Sequence, residues 1–95
     1  MDLLISPATA HKLKYEHHVT EQEVRQCFAN RVRETIIDDR EAHRSVPPTE
    51  WFIADTNAGR RLKVVFVAVL TDEVVVLRTA YPPNKSEERL YEQET

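Results

Sequence analysis

Two runs rich in β-branched residues, Arg61-Leu-Lys-Val-Val-Phe-Val-Ala-Val-Leu70 and Glu73-Val-Val-Val-Leu-Arg-Thr-Ala-Tyr81, are separated only by Thr71-Asp72. A linker this short leaves little choice but an antiparallel hairpin, although Thr-Asp is not a favoured turn pair. With Leu70 opposite Glu73, counting outward places Leu62 opposite Tyr81, Val64 opposite Thr79, Phe66 opposite Leu77 and Ala68 opposite Val75 on one face. The other face then pairs Lys63 with Ala80, Val65 with Arg78, Val67 with Val76 and Val69 with Val74, because side chains alternate across the pleat. The first face reads as a core. The second is apolar near the turn and cationic at the open end, where Lys63 and Arg78 lie on a diagonal. That asymmetry marks the open end as a candidate phosphate site, and the valines as a surface to be covered by helices or by a partner over Val65, Val67 and Val76.

The remaining elements follow in order. Ser6-Pro7 opens a helix reaching about Tyr15, with Ala10, Leu13 and His17 at helical spacing. Thr20-Glu21-Gln22-Glu23 is a capping box, Val19 is placed to staple onto Val24, and Val24, Cys27 and Phe28 form the inner face of a second helix ending near Asn30. Arg33–Asp38 reads as a short strand, residues 39–48 as a charged, proline-terminated loop, and Glu50–Thr56 as a strand joined to Arg61 through Asn57-Ala58-Gly59. Beyond Pro82-Pro83, Asn84-Lys85-Ser86-Glu87 opens a short last helix with Leu90 and Tyr91 inward. The expected fold is α+β in one domain over residues 1–95: two N-terminal helices, a four-stranded antiparallel sheet in sequential meander order, and a short C-terminal helix.

With 95 residues, 13 Lys+Arg against 16 Asp+Glu and a formal net charge of -3, the overall field does not attract polyanions, so any nucleic-acid contact has to come from a local patch. One cysteine makes no internal disulfide, and no apolar run is long enough to span a bilayer. A cytoplasmic protein without a membrane segment is expected. The single glycine, Gly59, argues against a phosphate-cradling loop. No metal or cofactor is expected: Cys27 reads as core, and adjacent His17 and His18 cannot share a helical face.

His17-His18-Val19-Thr20-Glu21-Gln22-Glu23-Val24 is similar to the stretch that opens BrnT-type toxins, small members of the RelE/ParE superfamily of toxin–antitoxin ribonucleases. Arg61-Leu62-Lys63-Val64-Val65-Phe66 and Arg78-Thr79-Ala80-Tyr81, with Glu88 and Tyr91 downstream, resemble the last two strands and closing helix of that family. The resemblance implies a RelE-like fold and a cytoplasmic toxin of a type II system. Such a toxin cleaves RNA, possible mRNA at the ribosome included, and is neutralised by a cognate antitoxin protein.

Metal-free RNA cleavage needs a proton acceptor, a proton donor and cations around the phosphoryl group. Lys63 and Arg78 are the candidates for the phosphoryl charge, His43 for proton transfer, and Tyr81 as an acid or as the residue that orients a base. Arg60, Arg61, Lys85 and Trp51 are the further candidates for RNA contact. Each has a plainer reading: Lys63 and Arg78 as surface charges paired with a carboxylate such as Glu50, Tyr81 and Trp51 as core, and His43 as an exposed loop residue. Trp51 and Tyr81 also stand where BrnT-type sequences usually carry basic residues. The alternative function is therefore a non-catalytic protein-interaction domain of the same fold without the basic site.

Overall fold

The computed structural model describes residues 2–38, 46–69 and 73–95; His43 and the Thr71-Asp72 turn lie outside the described residues. The chain runs β1 (Asp2–Leu4), α1 (Pro7–Lys12), a π-helical turn (Leu13–His17), α2 (Glu21–Asn30), β2 (Ile36–Ile37), β3 (Thr49–Asp55), β4 (Arg61–Val69), β5 (Val74–Tyr81) and α3 (Lys85–Glu94). The sheet has five strands in the order β1-β5-β4-β3-β2.

The expected RelE-like four-stranded meander is thus corrected. Strands β2 to β5 do pair antiparallel in sequence order, but β1 adds a parallel edge beside β5, with Leu3 level with Val75 and Leu4 level with Val76. Leu3-Leu4-Ile5 is too short a run to carry a period of its own. It becomes a strand because β5 presents an open edge and because Leu3 gains a buried position there. The predicted strand at Arg33–Asp38 contracts to Ile36–Ile37.

Both N-terminal helices begin as their caps dictate. Ser6 Oγ accepts the Thr9 N–H at 3.1 Å, and Pro7 takes the first helical position. α1 is shorter than expected because the chain widens into the π turn. His18, in the left-handed region at φ 54, ends it. Thr20 and Glu23 close the capping box of α2 in both directions, and Val19 and Val24 are both buried, as a hydrophobic staple requires.

α2 covers the face of the sheet that carries Phe52, Leu62, Val64, Phe66 and Leu77, all buried. Phe28 meets Phe52 and Phe66 edge-on at centroid distances of 4.9 and 5.5 Å, and Cys27 is fully buried with its thiol donating to Ala54 O. α3 lies on the opposite face, where Tyr91 packs against Trp51. Leu90, expected inward, is exposed.

The central hairpin departs from the simple count at one step. From Val69 opposite Val74 to Phe66 opposite Leu77 the pairing is as expected, but Val65 is level with Thr79 and Lys63 with Tyr81. Arg78 is the extra residue of a β-bulge. A one-residue slip exchanges the faces of everything beyond it. Ala80 therefore enters the core at Val64, and Tyr81 moves from the expected core position beside Leu62 to the α3 face beside Lys63.

Candidate functional site

Three of the residues singled out in the sequence, Trp51, Lys63 and Tyr81, come together on the α3 face. Register places them there. Ile53 pairs with Lys63, Lys63 with Tyr81, and Trp51 with Val65 in the adjoining row. Lys63 is 9% exposed. Its Nζ stands 4.5 Å from the centre of the Trp51 ring and 5.7 Å from that of Tyr81, a cation between two aromatic faces.

The partner of Lys63 is Glu87, at 2.6 Å, not Glu50, whose carboxylate accepts the Thr35 hydroxyl. The same Glu87 Oε2 accepts the Tyr81 hydroxyl at 2.9 Å, while Oε1 accepts the Asn84 N–H and closes the capping box of α3. Burial pushes the Glu87 carboxyl upward, but the Lys63 ammonium, the Asn84 N–H and the Tyr81 hydroxyl outweigh it and hold Glu87 below its ordinary range. Burial, then the hydrogen bond to the Glu87 anion, pushes the Tyr81 phenol up. On the far side of Tyr81, the His17 ring lies 5.5 Å away at the end of the π turn.

Arg60 is a tie between elements. Its guanidinium donates to His18 O at 2.7 Å, to His17 O at 3.2 Å and to the Glu23 carboxylate at 3.2 Å. It thereby fixes the joint between the π turn and α2 to the turn that follows β3. Arg61 is held by Asp55 at 3.1 Å and Glu88 at 3.4 Å, the Asp55 contact foremost in raising its pKa.

Arg78 and Lys85 are exposed, and their side chains make no hydrogen bond or ion pair to another described residue. Arg78 leaves the diagonal with Lys63 because it is the bulge residue. His43 lies outside the described residues, so its place relative to the cluster is not part of the geometry. Burial pushes the Cys27 thiol up to about 11, which makes it a poor nucleophile near neutral pH. Among the described residues, no group of three His, Cys, Asp or Glu side chains is placed to hold a metal ion. No helix among them is long and apolar enough to cross a membrane.

Sequence reasoning missed Glu87 as the centre of the cluster and His17 as its neighbour. The capping box identified Glu87, but only one of its oxygens is needed for the cap. The second oxygen, opposite a strand that carries a lone lysine among apolar residues, was the available signal. His17 carried none, because its position depends on the π turn.

Comparison with protein-family models, with curated proteins and with solved structures gives no match for this chain.

Proposed function

We propose that the chain is a non-catalytic protein-interaction domain. One observation carries this reading: three of the cations singled out at the open end of the sheet are already matched by the protein's own carboxylates, Lys63 by Glu87, Arg60 by Glu23, and Arg61 by Asp55 and Glu88, which leaves the exposed Arg78 and Lys85 apart from the buried cluster. A phosphate entering beside Lys63 would have to displace a carboxylate 2.6 Å away that also caps α3 and holds Tyr81. Breaking such a pair costs far more than a single phosphate contact returns. Trp51, 5% exposed and covered by Tyr91 and Lys63, offers no free face for a base.

A second reading, a metal-independent RNA-cleaving toxin silenced by an antitoxin-like protein, draws on the gathering of Trp51, Lys63, Tyr81, Glu87 and His17. In that chemistry Glu87 or His17 would move the proton and Lys63 would meet the phosphoryl charge. It requires the Lys63–Glu87 pair to open.

Incubating the purified chain with labelled single-stranded RNA at low salt separates the two. The interaction reading expects neither cleavage nor a salt-dependent shift, and expression of the chain alone leaves bacterial growth unchanged. RNA cleavage that disappears in Lys63→Met or Tyr81→Phe protein, with folding intact, overturns it in favour of the toxin.

A further inference from the structure

α3 covers only part of its face of the sheet. It crosses the strands at their open end, from Tyr81 on β5 past Trp51 on β3, and the Tyr91 hydroxyl reaches Glu34 O beyond β3. Toward the turn between β4 and β5 the same face carries Val65, Val67 and Val69 on β4, Val74 and Val76 on β5, and Leu4 level with Val76 on β1. Burial alternates along these strands. Phe66, Val75 and Leu77, which face α2, are buried, whereas the five valines between them are only half-buried. On β1, Leu3 on the α2 face is buried and Leu4 is 54% exposed.

One flank of α3 borders this uncovered half. Glu88 faces the open end, where it binds Arg61. Leu90 follows it by two residues, which at about 3.6 residues per turn puts it on the opposite flank, toward Val65. There it is 44% exposed. Sheet and helix thus form a step, high at the open end and low at the turn, with apolar side chains on its floor and on its wall. The charged segment at residues 39–45, outside the described residues, has only Ala42 to offer such a surface.

The rim carries charges of both signs. Asp2 is level with Val74, and Arg78 stands on the other side of Val76 along β5. Both are exposed, and neither side chain has an ionic partner among the described residues.

We propose that this half of the face docks a second copy of the chain, through a two-fold axis that crosses the strands near Val67 and Val76. The inference rests on the interaction-domain reading and names the partner. A two-fold lays uncovered half on uncovered half and sets each α3 beyond the hairpin turn of the other copy, so the step fits itself, as an isologous interface requires. A flat surface would meet α3 before it reached the valines. The same rotation exchanges the two ends of β5 about Val76, which brings Arg78 of each copy over Asp2 of the other. Each copy contributes about 250 Å² of sheet, three strands wide and five residues long at ordinary strand spacings, together with the Leu90 flank. That is below the roughly 800 Å² per partner of a standard interface, so the dimer forms reversibly and not as a permanent assembly.

Sedimentation equilibrium of the full-length chain over a concentration series tests it. The expected result is a monomer–dimer equilibrium with no larger species, because a two-fold interface closes. Val67→Glu, at the centre of the contact, should weaken the dimer about a hundredfold or more. Val32→Glu, at an exposed valine outside the contact, should leave it within about twofold. Arg78→Glu alone and Asp2→Arg alone should each weaken it about tenfold, and the two together should restore it to within about threefold. This exchange leaves the valines untouched, so it decides the matter even where Val67→Glu lowers the melting temperature. A chain that is monomeric at about 1 mM, or a dimer indifferent to Val67→Glu and to the charge exchange, overturns the proposal. Either result leaves the interaction-domain reading to the RNA assay and directs the search to a different protein as partner.

Discussion

The two faces of the sheet are covered by different physics. Beneath α2 the contact is hydrocarbon and aromatic: Val24, Cys27 and Phe28 against Phe52, Leu62, Val64 and Phe66, with ring edges meeting ring faces. Beneath α3 it is a set of polar links around one aromatic pair. Lys63 and Tyr81 converge on Glu87, Arg61 bridges to Glu88, and Tyr91 leans on Trp51. α3 buries only Tyr91 fully, so hydrophobic burial alone gives this helix little reason to dock. Its charges position it. The difference explains why cations that look available in a list of residues are not available in the molecule.

The α2 face should fail first. Phe52→Ala removes a fully buried ring that touches both Phe28 and Phe66, and should cost about 3–5 kcal/mol. Since small domains hold only about 5–15 kcal/mol in total, urea denaturation followed by circular dichroism should show a large drop in midpoint. A loss below that of the α3-face variants would invert the comparison.

On the α3 face, Glu87→Gln keeps the shape of the cap but leaves Lys63, its side chain 11% exposed, without a counter-charge. The expected cost is about 2 kcal/mol, below that of a fully enclosed pair because Glu87 keeps some contact with water. Lys63→Met combined with Glu87→Gln should cost less than the sum of the single changes by about 1–3 kcal/mol. pH gives an independent check. The folded-state pKa of Glu87 lies below the ordinary 4.5, so its contribution is complete above that value and is lost as pH falls through the folded pKa. The gap in stability between wild type and Glu87→Gln should therefore close on acidification. The Tyr81 phenol is shifted upward from 10.0, so its contribution is complete below pH 10.0 and fades as pH rises through the folded value. A gap that stays constant into acid would show that Glu87 acts only as a cap.

How much of this was legible depends on the range of the signal. The capping boxes at Thr20 and Asn84 and the core positions of α2 could be read directly, because local hydrogen bonding and helical period fix them. The strands β4 and β5 were legible from their β-branched runs and β3 from the Asn57-Ala58-Gly59 turn that joins it to β4, as was the antiparallel order of β2 to β5. Three features were not. β1 is a three-residue strand whose existence depends on an edge supplied by residues far away in sequence. The bulge at Arg78 shifted Tyr81 from one face to the other. Its trace was the step from Val75 and Leu77 to Ala80 in the buried pattern, two polar residues where alternation allows one. The partner of Lys63 came from α3, and no spacing rule connects a strand to a helix across Pro82-Pro83.

The hydroxyl of Thr79 lies next to the bulge, buried and without a hydrogen-bond partner among the described residues. Thr79→Val replaces it with a methyl group of nearly the same volume. The change should stabilise the protein by about 1 kcal/mol, because desolvating an unpaired hydroxyl is unfavourable. A thermal melt that moves downward instead would mean that this hydroxyl has a partner in solution, and would make the α3 face more polar than its contacts indicate.

The smallest effect belongs to Arg78. If it were one half of a phosphate site with Lys63, removing it would weaken RNA binding and relieve repulsion. If it were tied to a carboxylate like Lys63, its loss would be destabilising. The bulge predicts neither. It sets Arg78 outside the ladder pairs, exposed and without a bonded neighbour among the described residues, and leaves Lys63 beside Tyr81. Arg78→Ala should therefore change stability by no more than about 0.5 kcal/mol, the usual range for surface positions away from special contacts. It should also leave any salt-dependent RNA association as it is in the wild type. Deleting Arg78 is a different experiment. Deletion removes the extra residue and leaves the pairing on both sides of it as it stands, because Phe66 is already opposite Leu77, Val65 opposite Thr79 and Lys63 opposite Tyr81. The Lys63–Glu87–Tyr81 contacts should therefore survive the deletion, and the loss should stay well below that of Phe52→Ala. A deletion variant as unstable as a core variant would show that the bend and twist of the bulge, and not the pairing on either side of it, hold the two faces apart.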